Sequence, residues 1–150
     1  MVRIIRTTSD NEDFHKLVVE LDKELWKRYP ADIQAEYAPH NKIINLQTVV
    51  LAYVDDQPVG CGCFKRFDDR SVEIKRMFVK EDQRGKGIAA NILKELEQWA
   101  KELSYENVVL ETGSRQPEAI HLYKKLGYHM IDAYAPYIGM SDSICFKKSF

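Results

Sequence analysis

The chain has 150 residues, 45% of them hydrophobic and 30% charged, with a formal net charge of −1. That length suits a single domain with a sizeable core, read here as residues 1–150. The near-neutral charge, without a basic stripe, argues against nucleic-acid binding, and no apolar run approaches the roughly 20 residues of a membrane span.

Met1 to Arg6 reads as the start of a strand over residues 2–8, too short and too charged for a signal peptide. The cytoplasm is therefore the expected compartment, and three cysteines fit a reducing one. Ser9-Asp10-Asn11-Glu12 has the form of a capping box, Ser9 standing three before Glu12. Phe14, Leu17, Val18, Leu21 and Leu25 follow at helical spacing. Trp26 to Asn45 is polar and aromatic, broken by Pro30 and Pro39, with a short second helix expected at 31–37.

Strands are expected at Thr48–Val54, Val59–Phe67 and Ser71–Val79, separated by turns at Asp55–Pro58 and Asp68–Arg70. Such short turns imply an antiparallel meander. Ile88, Ile92, Leu93, Leu96, Trp99, Ala100 and Leu103 then form a wide helical stripe. Val108–Leu110 is a short apolar strand, and Pro117 suits the first turn of a helix that Gly127 caps. Two last strands fall near Tyr128–Ala133 and Ser143–Lys148. The order β-α-α-β-β-β-α-β-α-β-β makes this an α/β domain, its mixed and mostly antiparallel sheet flanked by helices.

Cys61 and Cys63 lie two apart on a strand, so they share a face. With no second cysteine pair and no spaced histidine, they read as small buried hydrophobes, and no metal is expected. His15, His40, His121 and His129 are scattered.

The stretch Arg84-Gly85-Lys86-Gly87-Ile88-Ala89 carries the strongest functional signal. It lies between a strand and an amphipathic helix, where backbone N–H groups and the helix dipole favour a phosphate. Gly85 to Ala90 also fits the G-x-G-x-x-A dinucleotide pattern, with Glu111 ending the next strand. Against that reading, five polar residues separate strand from loop, the strand carries Glu73, Lys75 and Arg76, and antiparallel strands precede it. The phosphate-loop NTPase motif G-x-x-x-x-G-K-[ST] is absent.

The run Glu73 to Val79 followed by Arg84 to Ala89 resembles motif A of the GNAT superfamily of acyl-CoA-dependent N-acetyltransferases, whose [RQ]-x-x-G-x-[GA] is met by Arg84, Gly87 and Ala89. Ala119 to Tyr128 resembles motif B, A-x-x-x-Y-x-x-x-G-[FY]. The element order is also that of the family. Glu-Ile-Lys-Arg-Met-Phe-Val, Leu-Glu-Thr-Gly and Arg-Gln-Pro-Glu-Ala-Ile are similar to a large subgroup of its small members.

The resemblance implies direct transfer of an acetyl group from acetyl-CoA to an amine in a ternary complex. It implies that Arg84, Gly85, Lys86, Gly87, Ile88 and Ala89 hold the CoA pyrophosphate, and that the backbone of Met77, Phe78 and Val79 meets the acetyl and pantetheine groups. Gln116 stands where many members carry an Asn against the pantetheine arm. Tyr123 is the implied general acid. For the general base Glu73 comes first and Glu111 second, with ordered water as the alternative. Arg76 suggests an acceptor bearing a carboxylate, with a salt bridge as the other reading. Trp26, Tyr29, Tyr37 and Tyr137 lie in segments that cover the acceptor site in members of the family. The expected acceptor is the primary amine of a small, amino-acid-like molecule. A peptide acetyltransferase and a non-catalytic acyl-CoA sensor are the other readings. Homodimers are common among such proteins.

Overall fold

Val49-Val50-Leu51-Ala52-Tyr53 is buried along its whole length, so this strand must have helices on both of its faces. In the computed structural model, described for residues 1–40 and 45–150, that is its position. The elements are β1 (Val2–Thr7), α1 (Glu12–Arg28), α2 (Ala31–Tyr37), β2 (Val49–Val54), β3 (Gln57–Arg66), β4 (Ser71–Val79), α3 (Ile88–Glu102), β5 (Asn107–Gly113), α4 (Pro117–Lys125), β6 (His129–Ile131) and β7 (Ser143–Ser149). They form one sheet of order β1-β2-β3-β4-β5-β7-β6. Every neighbouring pair is antiparallel except β4 and β5.

The two faces have separate cores. Val50, Ala52, Val72, Ile74, Val108, Leu110 and Phe146 pack with Ile92, Leu93 and Leu96 of α3 and with Tyr123 of α4. Val49, Leu51, Tyr53, Cys61, Cys63 and Phe78 pack with Phe14, Leu17 and Leu21 of α1. The period-2 alternation of the strands sorts these sets.

Several expectations are corrected in detail. The cap of α1 is Asn11, whose side-chain oxygen accepts from Asp13 N at 2.8 Å and Phe14 N at 3.2 Å. Ser9 is instead buried and exchanges hydrogen bonds with the backbone of Leu46. The first hairpin turns on Asp55 and Asp56 alone, with φ of 50° and 61°; both lie in the left-handed region that matches strand twist in a two-residue loop. Strand β3 therefore starts at Gln57. Leu103, expected on the buried stripe of α3, caps that helix and is 50% exposed.

Helix α4 ends as its sequence dictates. Gly127 has φ 94°, its N–H bonds Lys124 O, and Tyr128 N bonds Tyr123 O at 3.0 Å. This is a Schellman motif, and the Tyr123 and Tyr128 rings meet across it at 5.8 Å. Tyr128 in turn donates to the buried Glu97 at 2.7 Å, which Lys148 also meets at 2.9 Å. The turn thus fixes Tyr123 against both α3 and β7.

The two possible caps of α1 are separable in urea denaturation. Asn11→Ala should cost about 1 kcal/mol, while Glu12→Ala, on an exposed side chain, should change stability by less than about 0.5 kcal/mol.

Candidate active site

Strand β4 holds the irregularity from which the site is built. Cys61 pairs with Phe78, but Cys63 pairs with Lys75, so β4 has one residue more than β3 across this interval. Arg76 absorbs it with φ 59°, a costly conformation for a non-glycine residue. Alternation slips there: Val72 and Ile74 face α3, and so do Met77 and Val79. Lys75 and Arg76 are both left toward α1. Opposite the bulge, the thiols of Cys63 and Cys61 donate to Lys75 O and Arg76 O at 3.2 and 3.3 Å. Burial pushes the Cys63 thiol up to about 12 and raises that of Cys61 as well. Both are packing groups, as expected.

Pairing of β4 with β5 stops at Ile74↔Leu110. From there the two parallel strands diverge, and the backbone of Lys75 to Val79 has no β5 neighbour. A cavity of about 100 Å³ opens here, lined by Glu73, Arg76, Met77, Glu111, Gln116 and Tyr123 among others. A larger cleft of about 510 Å³ lies over it between α1, α2 and the strand ends. Leu25, Arg76, Glu111 and Gln116 line both.

The glycine loop follows β4 through a short 3₁₀ turn at Glu81–Gln83, which is the polar gap seen in the sequence. Gly85 and Gly87 have φ of 79° and 80°. Among the described residues, the six consecutive N–H groups from Gly85 to Ala90 have no hydrogen-bond acceptor; the first bond of α3 is Asn91 N to Gly87 O at 3.1 Å. Exposed donors at the positive end of a 15-residue helix fit a diphosphate. Arg84 turns inward: Nε donates to Val79 O, and its guanidinium grips both oxygens of Glu24, all at 2.8 Å. Lys86 reaches Gln83 at 3.1 Å.

The two sequence-derived carboxylates have different surroundings. Glu73 is 4% exposed. It accepts from Tyr134 at 2.9 Å and has Lys65 and Lys75 each at 3.8 Å. Glu111 lies at the junction of the two cavities and accepts from Ser143 at 2.8 Å. Burial, only partly offset by that hydrogen bond, raises its carboxyl to about 7. Burial also raises the Tyr123 phenol, with the Glu111 charge adding to it. Tyr123 lines the smaller cavity, and among the described residues its hydroxyl has no hydrogen-bond partner.

Arg76 pairs with Asp22 of α1 at 2.5 Å, so the salt bridge is the arrangement present; its buried Nε has no partner among the described residues. Trp26 and Tyr29 line the large cleft. Tyr29 accepts from Arg115 N at 3.2 Å and lies so close to Gly113 that a Cβ there would stand 1.7 Å from its hydroxyl. Tyr137 instead lines the small cavity, and Lys75 donates to its hydroxyl at 3.1 Å. Sequence reasoning missed Asp22, Lys75 and Ser143. An acid between Leu21 and Leu25 on the buried side of α1 was the signal for Asp22; Ser143 had none.

The acetyltransferase (GNAT) family model matches residues 11–128. An IAA acetyltransferase from Azospirillum brasilense is 31% identical over 144 residues, 91% of this chain and 90% of its own. The uncharacterised N-acetyltransferase YsnE of Bacillus subtilis is 34% identical over 99 residues, 65% of this chain and 66% of its own. A Klebsiella pneumoniae structure assigned as an acyl-CoA N-acyltransferase superposes with a TM-score of 0.81 at 25% identity, covering 99% and 97% of the two chains. A GNAT acetyltransferase from Elizabethkingia anophelis, solved with acetyl-CoA bound, gives 0.71 at 20% identity over 99% and 98%, a likeness of fold. With free backbone donors at the glycine loop, a splayed strand pair and these relatives, the chain belongs to the GNAT family and is an acyl-CoA-dependent N-acetyltransferase.

Proposed function

We propose that this enzyme acetylates the primary amine of a small molecule held in the large cleft, with Glu111 as general base and Tyr123 as general acid. The observation that carries the reading is the position of Glu111 on both cavities at once. A base must reach the acceptor nitrogen beside the thioester, and only a group at that junction can. Acetyl-CoA supplies the activated acyl group and a thiolate leaving group.

Each remaining task falls to a feature of this chain. The N–H groups of Gly85 to Ala90 hold the pyrophosphate, with Lys86 alongside. Arg84 acts indirectly, anchoring the loop to β4 and α1. The unpaired edge of β4 from Met77 to Val79 receives the pantetheine and offers N–H groups to the oxyanion. Gln116 borders both cavities and suits the pantetheine amides.

A carboxylate titrating near 7 can take a proton from an ammonium and still be ionised at working pH. Glu73, tied to Tyr134 and two lysines, serves to hold β4 and Lys75 in place. Tyr123 stays protonated through the working range, so its proton is available to the departing thiolate.

The cleft suits a small molecule. Its volume of about 510 Å³ is that of a typical small-ligand site. Trp26, Tyr29, Tyr37 and Val18 supply apolar and aromatic surface. Asp22 already occupies the guanidinium of Arg76, where an acceptor carboxylate would otherwise bind. Glu111 and Asp142 add negative charge, favouring a cationic amine with an apolar body over an amino acid.

Calorimetric titration with acetyl-CoA, then thiol release over a panel of amines and peptides, tests the reading. Binding with turnover on small amines is expected; turnover on peptides alone would overturn the acceptor class, and binding without turnover would make the chain a sensor. Tyr123→Phe should lower kcat by about 10²-fold while acetyl-CoA affinity stays within about twofold, and near-normal kcat would remove Tyr123 from the mechanism. The ionisation of Glu111 also couples to folding. Its folded value of about 7 lies above the ordinary 4.5, so this contribution to stability is fully present below pH 4.5 and lost as the pH rises through 7. Urea denaturation should show Glu111→Gln gaining on the wild type over that window by on the order of 3 kcal/mol.

A further inference from the structure

We propose that Ser143 and Tyr37 form a positioning pair for the general base, a chain of hydroxyls from the wall of the acceptor cleft to the carboxylate of Glu111. The inference rests on the reading of Glu111 as base and extends it to two residues that neither sequence motif contains.

The geometry is specific. Ser143 Oγ lies 2.8 Å from Glu111 Oε2 and 2.6 Å from Tyr37 Oη. An ionised carboxylate can only accept, so Ser143 must donate to Glu111. Its hydroxyl proton is then committed, and Tyr37 must donate to Ser143. The direction of the chain is fixed by the charge at its end, and each bond strengthens the next.

Three elements meet in it. Tyr37 is the last residue of α2, Ser143 the first of β7 and Glu111 lies near the end of β5. Tyr37 is held from its other side by Tyr137, with ring centroids 6.1 Å apart, and lines the same cleft as Glu111. The chain orients the carboxylate toward the junction of the cavities and keeps α2 closed over it.

Other groups also act on Glu111. Lys75 of β4 favours its ionisation and Glu73 opposes it. Tyr123 of α4, Cys145 of β7 and Tyr137 feel its charge, and of the paired Arg76 and Asp22 the first lines both of its cavities and the second the larger. Among these, Ser143 alone is hydrogen-bonded to it. Removing that bond leaves the more distant charge of Lys75 as the group that still favours ionisation against the desolvation.

The test follows the Glu111 side-chain carboxyl by carbon NMR across pH in the free enzyme, alongside the pH dependence of kcat/KM. Ser143→Ala should move both midpoints upward by about one pH unit from their wild-type positions. Tyr37→Phe should move them in the same direction by less, and Ser143→Thr should restore them. A loss of activity equal at every pH, with the carboxyl midpoint unmoved, would overturn the proposal and leave Ser143 as packing. Glu111→Gln keeps the two readings apart. If the acidic limb of the rate profile survives in Glu111→Gln, Glu111 is not the base, whatever Ser143 does to its titration.

Discussion

The bulge at Arg76 is the constraint on which the rest depends. One extra residue in β4, taken up at φ 59°, does three things together. It ends regular pairing beside the point where β5 leaves, it turns two consecutive side chains toward α1, and it changes which carbonyls face β3. Each consequence is then fixed by a neighbour. Asp22 holds the Arg76 side chain, the thiols of Cys61 and Cys63 cover the carbonyls, and Gly62 makes room for Met77, whose sulfur would stand 2.5 Å from a Cβ at that position. A strained residue persists only where its surroundings over-determine it, and here they do.

Around this bulge the domain divides its labour. The α3 face is a mainly aliphatic core closed by the rings of Phe64, Tyr123, Tyr128 and Phe146. The opposite face carries polar groups among aromatic rings at the β4–β5 end: Glu73, Lys75, Glu111, Tyr134 and Tyr137. Burial of these groups is expensive unless they are paired, and the hydrogen bonds among them offset it. The one left poised is Glu111, with a single donor among the described residues, at the edge of two cavities. Its high proton affinity is a consequence of where the strands part.

Much of this was legible in the residues. Element order, the amphipathic stripe of α3 and the cap at Gly127 follow from periodicity and from glycine's freedom at positive φ. The donor-rich glycine loop was legible for the same reason, since two glycines between a strand and a helix leave backbone N–H groups free. The resemblance to the two motifs added the acyl donor and Tyr123. Less legible was everything produced by tertiary contact. Ser9 and Asn11 both fit a cap by type, and Leu46, distant in sequence, takes Ser9 away. Arg84 looked like a phosphate ligand, but Glu24 on α1 claims it. The resemblance put Glu73 ahead of Glu111 as base, and it could not show the number of partners each finds in the folded sheet.

The central claim is that one continuous surface, from the glycine loop along the free edge of β4 to Glu111, receives the acyl donor. Backbone amide NMR shifts on adding CoA and then acetyl-CoA test it most directly. Both ligands should move the amides of Gly85 to Ala90, and the acetylated one should additionally move those of Arg76 to Phe78 at the bulge. Shifts confined to other parts of the sheet, or no difference between the two ligands at the bulge, would contradict the account.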